Sequence, residues 1–161
     1  MTLRKICFTS RQRAEALQGD AAMAVISITD PGTPKAKLDP AFHHVLRLAF
    51  FDAQPADEYL PAPIPGLFDR QMAEQISQFV HRLQAEPLDL GLLVHCEFGV
   101  SRSAAVALFA EAVSGAPLEA RAYAHQPNLW VIERLQQIHP DLDIDIPLPE
   151  AANERRLMQR A

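Results

Sequence analysis

Residues 92–103, Leu-Leu-Val-His-Cys-Glu-Phe-Gly-Val-Ser-Arg-Ser, decide the fold and indicate where its chemistry lies. Residues 88–95, which contain the continuous apolar run 90–94, predict a central strand that is covered on both faces. The alanine-rich, largely apolar run over residues 103–114 predicts a buried helix. A short loop joins the end of the strand to the start of the helix. A buried strand followed directly by a buried helix is typical of parallel α/β proteins.

The rest of the chain extends this alternation. Patterns of apolar residues predict strands over 3–9, 22–28 and 44–51, and helices over 11–18, 67–85, 118–125 and 129–138. A proline-rich stretch follows the third of these strands, and long loops inside compact domains are often functional. We therefore predict one α/β domain over residues 1–146, with a central, mostly parallel sheet flanked by helices. A C-terminal tail over residues 147–161 remains, and its charged end could form a short helix.

Composition limits the partners that we expect. The chain has 161 residues, of which 48% are hydrophobic, enough for the core of one domain. Its net charge of -5 argues against attraction of the whole domain to nucleic acid or to anionic lipid. No apolar stretch has the length of a membrane span, and residues 1–7 are not followed by the apolar run of a signal peptide. The two cysteines form neither a disulfide framework nor a metal-binding pattern, so we expect a reducing, cytoplasmic environment.

The loop after the central strand has the features of a phosphate site. A loop that enters a helix N-terminus directs several backbone N–H groups at one point, where the helix dipole also favours an anion. Gly99 allows the positive φ that such a loop usually needs. The same positive environment favours the thiolate form of Cys96, which is a strong nucleophile toward phosphorus. The planar fork of Arg102 can grip two phosphoryl oxygens.

These residues resemble the signature of the protein tyrosine phosphatase superfamily, H-C-x5-R-[S/T] with an internal glycine. The small dual-specificity and bacterial tyrosine phosphatases are included in the resemblance, which is strongest over residues 92–106. It implies a phospho-cysteine intermediate and no metal or other cofactor. It assigns Cys96 as nucleophile, Arg102 as phosphate-binding residue and Ser103 as the hydroxyl that assists the second step. The main chain of the phosphate cradle then comes from Glu97, Phe98, Gly99, Val100, Ser101 and Arg102.

The resemblance also requires a general acid on a loop that precedes the signature. Asp52 directly follows a predicted strand and leads into the proline-rich stretch, so it is our preferred candidate. Asp57, five residues further along, is the alternative. A structural interpretation of Asp52, as a loop cap, stays open at this stage.

Other residues near the signature have supporting roles in this hypothesis. We expect His95 to orient the loop by hydrogen bonding, and Ser101 to donate to the thiolate together with Ser103. Asn128 lies in a proline-asparagine turn that resembles one found in dual-specificity enzymes, where it would brace the phosphate loop. Cys7 is interpreted as a core residue. The remaining aspartates considered are interpreted as turn or cap residues: Asp20, Asp30, Asp69 and Asp89.

Three other functions compete with this one. A rhodanese-like phosphatase or sulfurtransferase also uses a cysteine loop, but such a phosphatase lacks a loop acid such as Asp52. A non-catalytic phosphate-binding module typically loses the cysteine, the arginine or the acid. Arsenate reductases of the low-molecular-weight type carry their loop near the N-terminus.

The composition of the loop also bears on the substrate. Enzymes for multiply phosphorylated lipids tend to have lysine or arginine in the loop, whereas this loop has Glu97, Phe98 and Val100. An acidic side chain at this position repels additional phosphates. We therefore expect phosphotyrosine or another single phosphomonoester, on a protein or on a small molecule.

Overall fold

The computed structural model describes residues 3–53 and 65–149. Four parallel strands of this part of the chain form one sheet in the order β1-β4-β2-β3. Their bounds are β1 (Lys5–Ser10), β2 (Met23–Thr29), β3 (His44–Ala49) and β4 (Gly91–Cys96). All six residues of β4 are buried, as expected for a strand with a neighbour on each side. The predicted single α/β domain with a central sheet is confirmed, and the sheet is parallel throughout.

Helices cover both faces of the sheet. They are α1 (Arg11–Ala16), α2 (Arg70–Ala85), α3 (Arg102–Ser114) and α4 (Leu129–Ile138). On one face, Ala14 of α1 packs with Val25 and Leu93. On the other face, the alternate side chains of β2 and β4 pack against α2, α3 and α4 in the main core.

The helices begin in two different ways. The side chains of Ser10, Asp69 and Asn128 each accept a backbone N–H in the first turn of α1, α2 and α4. Side chains of this type satisfy amides that have no partner within the helix. The helix α3 follows Ser101, whose side chain makes no such capping bond. Its first nine residues are all buried, so it is the apolar central helix that the sequence predicts.

The prediction of a helix over residues 118–125 is wrong. Only a 3-10 turn, Arg121–Tyr123, forms in this segment. The chain before the turn instead runs along the outer edge of β1, where Ile6 donates to the carbonyl of Pro117 and accepts from the N–H of Glu119. Hydrogen bonds to the open sheet edge thus replace those of a helix, a preference that local propensity does not report.

The other boundaries shift by three residues or fewer. The helix predicted from residue 67 begins at Arg70 because Asp69 caps it, and the helix predicted to residue 18 ends at Ala16. The chain after α4 packs its isoleucines, Ile144 and Ile146, against the main core. Residues 150–161 of the predicted tail lie outside the described residues. No helix within the described ranges is long and apolar enough to cross a membrane.

Candidate active site

The carboxyl ends of the parallel strands meet at one edge of the sheet, where α/β proteins usually bind ligands. Cys96 is the last residue of β4, and α3 begins six residues later at Arg102. The predicted signature therefore forms a strand, a tight turn and a helix N-terminus. Asp30 and Phe50 directly follow the ends of β2 and β3 at the same edge.

The thiol of Cys96 lies against a hydroxyl. Its Sγ is 3.1 Å from Oγ of Ser103, and both residues are buried. Since a hydroxyl can donate to a thiolate, Ser103 is positioned to stabilise negative charge on this sulfur. The two predicted residues are brought together.

Gly99 is required in the loop for two independent reasons. Its φ of 72° lies in the left-handed region, which side chains disfavour. A Cβ atom built on it would lie 2.5 Å from the backbone nitrogen of Ser10 and 2.5 Å from the carbonyl carbon of Thr9. The loop therefore rests directly on the end of β1, and no side chain fits between them.

Arg102 is the most deeply buried charge of the site. Only 3% of the residue is exposed. Its Nη1 donates to Oδ1 of Asp30 at 2.6 Å and to the carbonyl of Phe50 at 2.7 Å. Its Nε is buried and has no hydrogen-bond partner among the described residues. A buried N–H of a guanidinium without a partner is costly, and a bound anion would satisfy it.

The role of Asp30 was missed by the sequence analysis. The expected turn is present, since the Thr33 N–H and hydroxyl both bond to the carbonyl of Asp30. Its carboxylate, however, binds Arg102 across 72 positions of sequence. Asp30 directly follows a buried parallel strand, and this position could have indicated its role. The same kind of position selects Asp52.

Asp52 lies beside the loop. Its Oδ1 accepts from the hydroxyl of Ser101 at 2.8 Å and from Nδ2 of Asn128 at 2.6 Å. The Ser101 hydroxyl hydrogen is thus directed at Asp52, whereas the sequence predicted that it would serve the thiolate of Cys96. The alternative acid, Asp57, lies outside the described residues.

Asn128 joins three parts of the site. Besides Asp52, its Nδ2 donates to the carbonyl of Ala53 at 2.7 Å, and its Oδ1 accepts from the first turn of α4. Its backbone N–H donates to the carbonyl of Ser101 at 3.0 Å. The fully buried side chain connects the segment of Asp52, the loop and α4, a wider role than the bracing of the loop that the sequence predicts.

His95 supports the loop from within the sheet. Its Nε2 is 2.6 Å from Oγ of Ser27, and its Nδ1 is 3.4 Å from the carbonyl oxygen of Cys96. Because a carbonyl only accepts, Nδ1 holds the proton and Nε2 accepts from the serine hydroxyl. Burial lowers the pKa of His95, and the nearby Arg11 guanidinium adds to this effect. Burial thus favours the neutral form of His95, which orients the loop through its two hydrogen bonds.

The outer part of the loop is apolar and acidic. Phe98 is 81% exposed and Val100 is 44% exposed, the pattern of side chains that face a substrate or solvent. The carboxylate of Glu97 lies 3.9 Å from Nη1 of Arg11. The backbone carbonyl of Glu97 also accepts from the backbone N–H of Arg11. The loop is therefore tied to the start of α1 as well as to β1.

Within residues 3–53 and 65–149, no group of three or more His, Cys, Asp or Glu side chains is arranged to hold a metal ion. No protein-family model matches the chain. No curated protein matches it significantly.

Proposed function

We propose that this protein is a cysteine-dependent phosphatase that hydrolyses phosphomonoesters through a phospho-cysteine at Cys96. The observation that supports this most is the buried guanidinium of Arg102, on the helix that starts beside the thiol, whose Nε has no partner among the described residues. A phosphoryl group would satisfy that N–H and would meet the dipole of α3. The sulfur of Cys96 would then face phosphorus.

In the first step, the thiolate of Cys96 forms a bond to phosphorus while the bond from phosphorus to the leaving oxygen breaks. Arg102 stabilises charge on the phosphoryl oxygens. Asp52 donates a proton to the leaving oxygen. Both hydrogen bonds from Ser101 and Asn128 reach Oδ1 of Asp52, so Oδ2 is the atom that holds the transferred proton.

In the second step, water attacks phosphorus and the bond between sulfur and phosphorus breaks. Asp52, now a carboxylate, accepts a proton from the water. Ser103 donates a hydrogen bond to the departing sulfur from 3.1 Å. The enzyme returns to the thiolate, and inorganic phosphate leaves.

A phosphotyrosine-type substrate fits the rim of the site. Four exposed apolar side chains neighbour its polar residues: Phe51, Phe98, Val100 and Leu129. Phe51 and Leu129 adjoin Asp52 and Asn128 in sequence, and the other two belong to the loop. An aromatic leaving group would bury part of this apolar surface, whereas a small alkyl phosphate would not. A reducing compartment such as the cytoplasm would keep the thiolate active.

The test is hydrolysis of para-nitrophenyl phosphate in the presence of a chelator, with wild type, Cys96→Ser, Asp52→Asn and Asp57→Asn. We expect turnover in wild type and none in Cys96→Ser. We expect Asp52→Asn to fall further than Asp57→Asn.

Other outcomes separate the competing functions. An inactive wild type whose melting temperature still rises with vanadate would be a phosphate-binding module. An inactive wild type without that stabilisation, but with transfer of sulfur from thiosulfate, would be a rhodanese-like enzyme. Hydrolysis of phenyl phosphate and glycerol phosphate at equal kcat/KM would contradict the aromatic preference.

A further inference from the structure

Asp30, which the sequence pattern assigns to a turn, makes the shortest ion pair of the site. Nη1 of Arg102 lies 2.6 Å from Oδ1 of Asp30, in an ion pair whose arginine side chain is 4% exposed. The same nitrogen donates to the carbonyl of Phe50. The two acceptors lie just beyond the ends of β2 and β3, so one edge of the guanidinium is fixed to the sheet.

The two edges of this guanidinium differ. Nη1 is engaged by Asp30 and Phe50, whereas Nε is buried without a partner among the described residues. The N–H bonds of Nε and Nη2 run parallel in a guanidinium, which suits a bidentate grip on two oxygens. Because Nη1 is already bonded to Asp30 and Phe50, the Nε–Nη2 edge of the guanidinium is the edge that can receive a ligand.

We propose that Asp30 is a positioning residue of the site, which fixes Arg102 so that its Nε–Nη2 edge meets the phosphoryl oxygens. This proposal rests on the proposed phosphatase function and adds to it a residue outside the signature. Asp30 also supplies the counter-charge that a buried guanidinium needs in the absence of substrate.

The backbone of Asp30 is well suited to the role. Its carbonyl accepts the N–H of Thr33 at 3.2 Å and the hydroxyl of the same residue at 2.7 Å. These bonds close a tight turn directly after β2, a strand paired with β4 along most of its length. The carboxylate is therefore held by the same sheet that positions Cys96, and its distance from the nucleophile is set by rigid elements.

The experiment compares wild type with Asp30→Ala and Asp30→Asn. The readouts are kcat, KM, inhibition by vanadate and melting temperature. We expect Asp30→Ala to lower kcat about 10- to 100-fold, the size of loss typical of a misplaced catalytic group, and to weaken vanadate inhibition in parallel. Asp30→Asn keeps an acceptor oxygen but loses the charge that strengthens the bond, so its loss should be intermediate.

Asp20→Ala is the matched control. Asp20 lies just before the opposite end of β2, where its Oδ1 accepts the N–H of Ala22 at 2.8 Å. It is a turn aspartate without a contact to Arg102 among the described residues. Its replacement should leave kcat and vanadate inhibition unchanged. Equal losses in the Asp20 and Asp30 variants would mean that both act only through the stability of the sheet, and would overturn the proposal.

A double-mutant cycle tests whether Asp30 acts through Arg102. We expect Asp30→Ala to cause little further loss of kcat in an Arg102→Lys background, because the group that it positions is gone. Additive losses would overturn the proposal. If Asp30→Ala does not fold, Asp30→Asn is compared with wild type in the same cycle, with the same outcomes.

Failure of this proposal is distinguishable from failure of the proposed function. Normal turnover and vanadate inhibition in both Asp30 variants, with an inactive Cys96→Ser, would refute the positioning role and keep the phosphatase. Absence of turnover and of vanadate binding in wild type would refute both.

Discussion

Cys7 and Cys96 lie on neighbouring parallel strands, yet their surroundings have little in common. Cys7 is in the middle of β1, with its Sγ 3.8 Å from the carbonyl of Leu92. Burial raises the pKa of its thiol, and the negative charge of Glu119 raises it further. Cys96 ends β4, with a serine hydroxyl 3.1 Å from its sulfur and the start of α3 close by.

The difference follows from position along the strand. In the middle of a strand, the backbone groups are paired with neighbouring strands and the side chain meets other side chains. At the carboxyl end, the chain turns toward a helix whose first amides have no partner within the helix. The same residue type is therefore a packing group in one place and a candidate nucleophile a few residues further along the sheet.

Replacement of each cysteine in turn by serine gives the largest expected difference in kcat. Cys96→Ser should lower kcat about 10,000-fold or more, the loss seen when a nucleophile is removed, whereas Cys7→Ser should keep wild-type kcat. Acid quenching during turnover, followed by peptide mapping, should find phosphate on the peptide with Cys96. Phosphate on the peptide with Cys7, or a dead Cys7→Ser enzyme that is folded, would contradict the comparison.

The close approach of the loop to β1 predicts the next largest effect. Gly99→Ala should lower kcat about 100-fold, because its Cβ would overlap the backbone of Thr9 and Ser10 and displace the loop. Gly115→Ala is the control: φ there is 73°, but no atom of the described residues lies within 4 Å of the Cβ position. It should lower stability by about 1 kcal/mol and leave kcat intact. Circular dichroism melts and para-nitrophenyl phosphate kinetics separate the two effects.

The dual role of Asn128 predicts a moderate effect. Asn128→Ala removes a helix cap and both bonds to the segment of Asp52. Asp69→Ala removes the corresponding cap from α2 and nothing at the site. Asp69→Ala should lose about 1 kcal/mol of stability, and Asn128→Ala should lose more, because two further hydrogen bonds of a buried side chain are removed. Only Asn128→Ala should also lower kcat, about 10-fold, because the acid is less well held. Equal kcat in the two variants would show that Asn128 acts only as a helix cap.

The smallest expected effects come from the titration of two buried side chains, His95 beside Cys96 and Cys7 itself. Because the pKa of His95 is lowered in the fold, the unfolded chain binds a proton that the folded chain does not as pH falls below about 6.5. Stability contributed by neutral His95 is thus fully present above that pH and is lost below it. Urea unfolding from pH 7.5 to 5 should show a loss of at most about 1.4 kcal/mol per pH unit that His95→Asn lacks.

The opposite trend is expected for Cys7. Its raised pKa means that the unfolded thiol ionises first, so stability is full below about pH 8.5 and falls as pH rises above that value. Cys7→Ser should remove this alkaline loss. A pH-independent difference between wild type and either variant would show that these groups do not titrate as their burial implies.

Local sequence was enough to predict the strand, loop and helix at the centre of the site. It was not enough to predict the contacts that distant segments make with them. The contact between Cys96 and Ser103 was predictable because a strand, a glycine and a helix start place both residues in one short turn, whereas the bond from Ser101 to Asp52 was not. The pairing of Asp30 with Arg102 was not, since its sequence context is already explained by a turn. The segment after Pro117 was mispredicted for a similar reason: the bonds to the edge of β1 that determine it come from residues more than 100 positions away.

The strand order has a consequence for how the chain is made. β4 separates β1 from β2, so β1 has no partner among the described strands until residues 91–96 have been synthesised. The strand that closes the sheet also ends in Cys96. A nascent chain that ends before residue 91 therefore lacks both the last strand of the sheet and the candidate nucleophile, which lie on the same six residues. The loop and α3, which follow Cys96 in the chain, can therefore form only against a sheet whose four strands have all been synthesised.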